Sequence, residues 1–137
     1  MARIQLRLYD DPGAAEVFVR IKRNDGTYET IIATVDTGAA VCLFPARILN
    51  RLVHRVIREK VILEPEGIAR QEFEATEVLI TLFLEDHTGA QTQDIEVRAW
   101  FTDTLKSLVG FESVLDSAVL HIDMLNTRSG YIEFADS

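Results

Sequence analysis

The residues of this chain that could do chemistry are an aspartate, a threonine and a glycine that follow an apolar stretch. Residues 31–35 read Ile-Ile-Ala-Thr-Val and run directly into Asp36, Thr37 and Gly38. A carboxylate at the end of a buried strand stays ionised only where backbone N–H groups, water or a shared proton stabilise it. Gly38 allows a tight turn and leaves space beside the carboxylate, and the Thr37 hydroxyl can tie the loop to a neighbour. Together these parts could hold a water molecule against a carboxylate.

The tripeptide Asp-Thr-Gly is a weak signal on its own, because the same residues also make a good turn. Average composition gives such a match by chance in roughly a few per cent of chains of this length. Its surroundings strengthen the signal: an apolar strand precedes it, Ala39 follows it, and Pro45 opens a segment with helical spacing. This context favours the interpretation of Asp36 as a site residue.

In that context, the segment Asp36–Ala39 resembles the catalytic loop of the retropepsin-like aspartic proteases, the single-domain relatives of pepsin. A second match lies near the C-terminus, where residues 108–110 read Leu-Val-Gly and residues 111–118 have helical spacing. These segments resemble the family's element of two hydrophobic residues and a glycine, and the helix that follows it. The resemblance implies an acid protease fold, a closed β-barrel, in a single domain over residues 1–137.

The resemblance also implies the roles of individual residues. Asp36 would be the catalytic residue, and Thr37, Gly38 and Ala39 would support the catalytic loop. Residues 61–73 stand where the family has its flap hairpin. The predicted substrate-binding residues of this flap are Glu64, Pro65, Glu66, Gly67 and Ile68.

The family's reaction needs two aspartates that face each other, and this chain has one Asp-Thr-Gly. The sequences that follow Asp103, Asp116 and Asp136 lack the glycine. The resemblance therefore implies a homodimer in which each chain contributes its Asp36 at a twofold axis. The two carboxyl groups would share one proton. The ionised group would accept a proton from the lytic water, and the protonated group would polarise the scissile carbonyl of a peptide or protein substrate. No metal or other cofactor is needed.

Two alternatives to this homodimeric aspartic endopeptidase stay open. One is a module of the same fold that dimerises or binds peptides with little turnover. The single glycine of the predicted flap, Gly67, favours that module, whereas the intact sequence from Asp36 to Gly38 favours the enzyme. The other alternative is a small β-barrel binding domain in which Asp36 is only a turn residue.

The elements around these residues are predicted to be mostly strands. Apolar residues alternate with period two, which is typical of strands with one buried face. The strands predicted in this way cover residues 16–21, 27–35, 78–84, 95–101, 119–122 and 131–134. The sequence Asn24-Asp25-Gly26 predicts a hairpin turn. Helical spacing predicts short helices after Pro45 and over residues 111–118. Many short strands with two short helices indicate an all-β barrel or sandwich.

The remaining reactive residue types give no competing site. The three histidines, His54, His87 and His121, are far apart and lack the spacing of metal ligands. Cys42 is the single cysteine, so the chain has no internal disulfide, and a buried structural thiol is expected. We expect Trp100 to serve packing. A solvated face is predicted for Asp94, Glu96, Arg98 and Asp103.

Composition and charge narrow the function classes. Hydrophobic residues make up 47% and charged residues 26%, which is typical of a globular protein. Acidic residues outnumber basic ones by 22 to 14, and a net charge of −8 repels phosphate backbones. No apolar run is long enough for a membrane helix, and Arg3 and Arg7 interrupt the start where a signal peptide is apolar. We therefore expect a cytoplasmic protein without a nucleic-acid or membrane partner.

Overall fold

The computed structural model describes residues 2–10, 13–63, 73–104 and 106–135, and this part of the chain is mostly β. It contains two short 3₁₀ helices, Ala46–Arg51 and Leu115–Ser117, and eleven strands. In chain order the strands are β1 (Ala2–Gln5), β2 (Arg7–Asp10), β3 (Gly13–Lys22), β4 (Tyr28–Val35), β5 (Cys42–Pro45), β6 (His54–Leu63), β7 (Phe73–Glu85), β8 (Ile95–Thr102), β9 (Leu108–Val109), β10 (Ala118–Asp123) and β11 (Ser129–Phe134). The predicted all-β class is confirmed.

Eight of these strands form one sheet in the order β2-β3-β4-β9-β5-β8-β7-β6. The sheet closes because β3 also pairs with β7, so that Phe18 lies opposite Ile32 on one side and Glu85 on the other. Closure removes the open edges that a flat sheet would present. The predicted closed β-barrel is therefore confirmed. A smaller sheet has the order β1-β11-β10.

The core follows the period-two pattern of the sequence. Val17, Val19 and Ile21 of β3 are buried, and so are the alternate apolar residues of the neighbouring strands. These are Val78, Ile80, Leu82 and Leu84 of β7, with Val97, Ala99 and Phe101 of β8. Each large apolar side chain buried in this way stabilises the fold by about 1.5 to 3 kcal/mol. The pattern fixes which residues point inward and therefore which loops emerge at the barrel's ends.

The strand predicted over residues 27–35 is observed as β4, in which Ile32 is 52% exposed and Ala33 is buried. One local prediction was wrong. The helix predicted over residues 111–118 shrinks to Leu115–Ser117, because Ser113 has a φ of 71° and breaks the helical path. Helical spacing alone did not reveal this left-handed residue.

Asp86 connects the smaller sheet to the barrel. Its side chain is nearly buried and accepts hydrogen bonds from the backbone N–H of Gln5 at 2.8 Å, Thr88 at 2.8 Å and Ala90 at 3.1 Å. The Thr88 hydroxyl donates a further bond at 2.6 Å. Burial alone would raise the pKa of this carboxyl, but these donors outweigh it and hold the pKa below the usual 3.8. The charged form of Asp86 is therefore stabilised in the folded state.

We expect Asp86→Ala to lower the free energy of unfolding by about 2 to 3 kcal/mol at neutral pH, because several donors lose their acceptor. Since the folded pKa is depressed, this contribution is fully present above the unfolded pKa of about 4. It is lost as the pH falls through the folded value. Urea unfolding at pH 7 and pH 3, compared with the exposed control Asp103→Ala, measures the effect; an equal loss at both pH values would contradict this role.

Candidate active site

Asp36 directly follows β4 and lies at the start of a tight loop, residues 36–41, which we call the Asp36 loop. Its backbone N–H donates to the Val109 carbonyl of β9 at 3.0 Å, and its carbonyl accepts from Ala39 N–H at 3.2 Å. The side-chain oxygen Oδ1 accepts the Gly38 N–H at 2.9 Å. The Asp36 side chain is only half-buried. The carboxylate is thus fixed by its own loop and still accessible to water.

Gly38 and Thr37 differ in how they relate to this carboxylate. A Cβ on Gly38 would lie 3.3 Å from Asp36 Oδ1, so a larger residue would push against the carboxylate. Thr37 is exposed, and its hydroxyl forms no hydrogen bond within the described part of the chain. The tie to a neighbour that the sequence suggested for Thr37 is not formed among the residues that the structure describes.

A second loop, residues 110–114, packs against the first, and we call it the Gly110 loop. Phe111 N–H donates to the Ala39 carbonyl at 2.8 Å, and Glu112 N–H donates to the Ala40 carbonyl at 2.9 Å. A Cβ on Gly110 would lie only 2.3 Å from the Val41 carbonyl oxygen, so the two backbones meet where no side chain fits. The structure therefore brings together the two sequence segments on which the family resemblance rests.

Cys42 lies beneath both loops and is buried. Burial raises the pKa of its thiol to about 11, although the Gly110 N–H, 3.5 Å from Sγ, opposes the shift. A thiol with this pKa stays protonated at neutral pH and is a poor nucleophile. The expected structural role of Cys42 agrees with this environment.

The strands on either side of the predicted flap form an antiparallel pair. β6 and β7 run from His54 opposite Ile80 to Leu63 opposite Phe73. We call this pair the β6–β7 hairpin. The predicted substrate-binding residues Glu64, Pro65, Glu66, Gly67 and Ile68 lie outside the described residues.

The sequence analysis missed a charged cluster beside the two loops. The Glu77 side chain of β7 is 1% exposed and contacts three residues. Arg58 Nη2 lies 2.8 Å from its Oε2, Trp100 Nε1 donates to the same oxygen at 2.7 Å, and Arg98 Nη1 lies 3.8 Å from Oε1. Arg98 also forms an ion pair with Glu112 of the Gly110 loop. The hydrogen bond from Arg58 is the largest influence and lowers the pKa of Glu77, although burial opposes it.

This cluster corrects one expectation: Arg98 was placed on a solvated face, but it bridges two glutamates and is only 36% exposed. Trp100 is half-buried, and its indole N–H also donates to the buried Glu77 carboxylate. The one signal in the sequence was a glutamate directly before the apolar run of β7. Its partners come from neighbouring strands, so they become visible only once the strand order is known.

Further observations concern ligands and membranes. Among the described residues, no group of three or more His, Cys, Asp and Glu side chains could hold a metal ion. His54 Nδ1 lies 2.8 Å from the Leu52 carbonyl oxygen, and His121 stacks on Tyr131 at 5.0 Å between ring centroids. Within the described ranges, no helix has the length and apolar character that crossing a membrane requires.

Comparison with known proteins bears on the fold. No protein-family model matches this chain, and no curated protein matches it. Among solved structures, the chain is similar to the crystal structure of a retropepsin-like aspartic protease from Rickettsia conorii, with a TM-score of 0.55 and 17% sequence identity. The alignment covers 96% of this chain and 90% of that one. At this identity the likeness shows the fold alone, and it confirms the expected retropepsin-like architecture.

Proposed function

We propose that this protein is a homodimeric aspartic endopeptidase that hydrolyses peptide bonds with a water molecule activated by the Asp36 carboxylates of two chains. The observation that carries the proposal is the position and accessibility of the Asp36 carboxylate. Its carboxylate is water-accessible, fixed by the Gly38 N–H at 2.9 Å, and follows a barrel strand of a retropepsin-like fold. A positioned carboxylate beside a water molecule can act as a general base.

The need for a second chain follows from the chemistry. One carboxylate cannot both accept the proton of water and polarise the substrate carbonyl, so two carboxyl groups in different protonation states are required. Within the described residues, no second carboxyl group is hydrogen-bonded to Asp36. A twofold axis beside the Asp36 loop would supply one. It would also bring the exposed Thr37 hydroxyl to the partner's loop.

The strand arrangement changes which segments we propose for the interface. From the sequence, the terminal segments over residues 3–8 and 131–134 are candidate interface strands, because edge strands readily pair with a partner. The edge position expected for residues 131–134 was wrong. β11 is central in its sheet, since Tyr131 lies opposite Gln5 of β1 and His121 of β10. Among the described strands, β1 and β10 are the two edges of this sheet, and Val119 of β10 is 59% exposed. Free edges and exposed apolar side chains favour association, so we propose β10 as an interface strand.

A dilution experiment tests the dimer. We expect cleavage of a peptide pool per chain to fall on dilution, in step with dissociation measured by analytical ultracentrifugation. Val119→Asp should weaken the dimer at least about tenfold, because it places a charge on the exposed apolar edge. Val53→Asp is the matched control, since Val53 is 41% exposed and lies outside β10. A chain that stays monomeric at full activity would refute the homodimer.

A further inference from the structure

A line of charged side chains runs from the β6–β7 hairpin to the Gly110 loop. It begins at Arg58 of β6, passes through Glu77 of β7 to Arg98 of β8, and ends at Glu112. Four separate segments of the chain are joined in this way. Isolated exposed ion pairs contribute little to stability, whereas several charges that form a network contribute more.

Glu77 is the buried residue at the centre of this line of charged side chains. Its Oε1 lies 3.3 Å from Arg58 Nε, and its Oε2 accepts bonds from Arg58 Nη2 and Trp100 Nε1. With 1% of its side chain exposed, water cannot replace a lost partner. A buried carboxylate with all its partners in place holds them in one geometry. Arg58 is therefore hydrogen-bonded to Glu77, and Arg98 is drawn to the same carboxylate as an ion pair at 3.8 Å.

Glu112 connects this line to the site through its own backbone. Its side chain binds Arg98, while its N–H donates to the Ala40 carbonyl at 2.9 Å. The neighbouring Phe111 N–H donates to the Ala39 carbonyl at 2.8 Å. These carbonyls belong to the Asp36 loop. The orientation of the Glu112 side chain therefore bears on the backbone that carries Asp36.

We propose that Arg98 and Glu112 are positioning residues for the Asp36 site, and that Glu77 couples them to Arg58 of the β6–β7 hairpin. The proposal rests on the proposed function, since it assumes that peptide hydrolysis takes place at Asp36. A shift of the hairpin would then change how firmly the Gly110 loop holds the Asp36 loop. In this proposal Arg98 and Glu112 do not touch the reacting atoms. Both act through the backbone of the Asp36 loop.

Amide hydrogen exchange of the wild-type chain and its variants tests the coupling without relying on activity. Glu112→Gln keeps the side-chain shape and removes the charge that Arg98 binds. We expect the Phe111 and Glu112 amides to exchange roughly tenfold faster in this variant, because the loop opens more often. Arg58→Gln should speed the same two amides by a smaller factor. In the Glu112→Gln background, Arg58→Gln should add nothing further, since the connection is already broken.

The matched control is Glu133→Gln, which breaks the Arg3–Glu133 pair on the smaller sheet. It removes one carboxylate from one ion pair, as Glu112→Gln does, but it should leave the exchange of Phe111 and Glu112 unchanged. If the double variant speeds the exchange of these amides by the product of the two single effects, Arg58 and Glu112 act independently and the proposed coupling is overturned. Unchanged exchange in Glu112→Gln would overturn the positioning role.

Kinetics on a peptide pool separate positioning from binding. We expect Glu112→Gln to lower kcat roughly tenfold and to leave KM within about twofold, because the loss lies in orientation of the site and not in substrate contacts. A rise in KM with kcat unchanged would overturn a positioning role. If the wild-type chain cleaves no peptide at all, the proposed function fails, while the exchange measurements still decide whether the coupling exists.

Discussion

The Asp36→Asn chain is expected to lose peptide hydrolysis by at least about three orders of magnitude, because the substitution removes both the general base and the shared proton of the paired carboxyl groups. The fold should survive. The Asn side-chain oxygen can still accept the Gly38 N–H that Asp36 Oδ1 accepts at 2.9 Å. The dimer should survive as well, since the neutral side chain relieves repulsion between the two sites. Initial rates on a peptide pool, with sedimentation of the same samples, measure both effects.

The pH profile strengthens this test. Activity of the wild-type chain should be bell-shaped between about pH 3 and pH 8 and centred in the acidic range, because the proposed carboxyl pair would work with one proton. Asp103→Asn is the matched control, since it removes one exposed carboxylate that is not followed by Thr-Gly, and it should leave the rate unchanged. Turnover retained in Asp36→Asn, or turnover abolished by chelators, would end the aspartic protease hypothesis. A module that only binds peptides would keep its affinity in Asp36→Asn and show no bell-shaped profile.

The barrel strands could be predicted because burial of one face leaves a readable period in the sequence. In β3, β7 and β8 the alternate apolar residues are mostly buried, although Ile95 is only half-buried and Phe83 of the other face is buried as well. The position of β11 could not be predicted in the same way. Its alternation indicates one buried face but not which strands flank it, and its central place depends on β1, which comes from the other end of the chain. Pairing between distant segments leaves no periodic signal in either of them.

In the candidate site, too, local features could be predicted from the sequence and contacts between distant segments could not. The Asp36–Ala39 and Leu108–Gly110 segments could each be found from their residues, because the glycines and the preceding apolar strands are local features. The contact between them could not be derived from either segment alone. Glu77 is the clearest example of a residue that the sequence could not identify. A glutamate in a strand normally faces solvent, and only the observed partners explain why this side chain is 1% exposed. Its role depends on three strands and a loop at once.

Gly110→Ala is expected to be among the most damaging single substitutions in this chain. The added Cβ would lie 2.3 Å from the Val41 carbonyl oxygen, 2.5 Å from the Val41 carbonyl carbon and 2.9 Å from the Ala39 carbonyl oxygen. All three atoms are backbone, so no side-chain rotation relieves the clash. The Asp36 loop and the Gly110 loop must move apart, which strains the bonds from Phe111 and Glu112 to the Asp36 loop. We expect a loss of about 3 to 5 kcal/mol in the free energy of unfolding.

A second glycine separates this clash from the general effect of replacing glycine. Gly26 has a φ of 87°, and a Cβ there would meet nothing within 4 Å. Gly26→Ala should therefore lower the free energy of unfolding by only about 1 to 2 kcal/mol, from backbone strain alone, and should leave peptide cleavage intact. Gly110→Ala should lose cleavage even in the fraction that stays folded, because the Val109 carbonyl that accepts the Asp36 N–H is next to the clash. Urea unfolding of both variants measures the two stability losses, and the peptide assay measures whether each variant still cleaves. Equal stability of the two variants would mean that the contact between the two loops does not hold Asp36 in place.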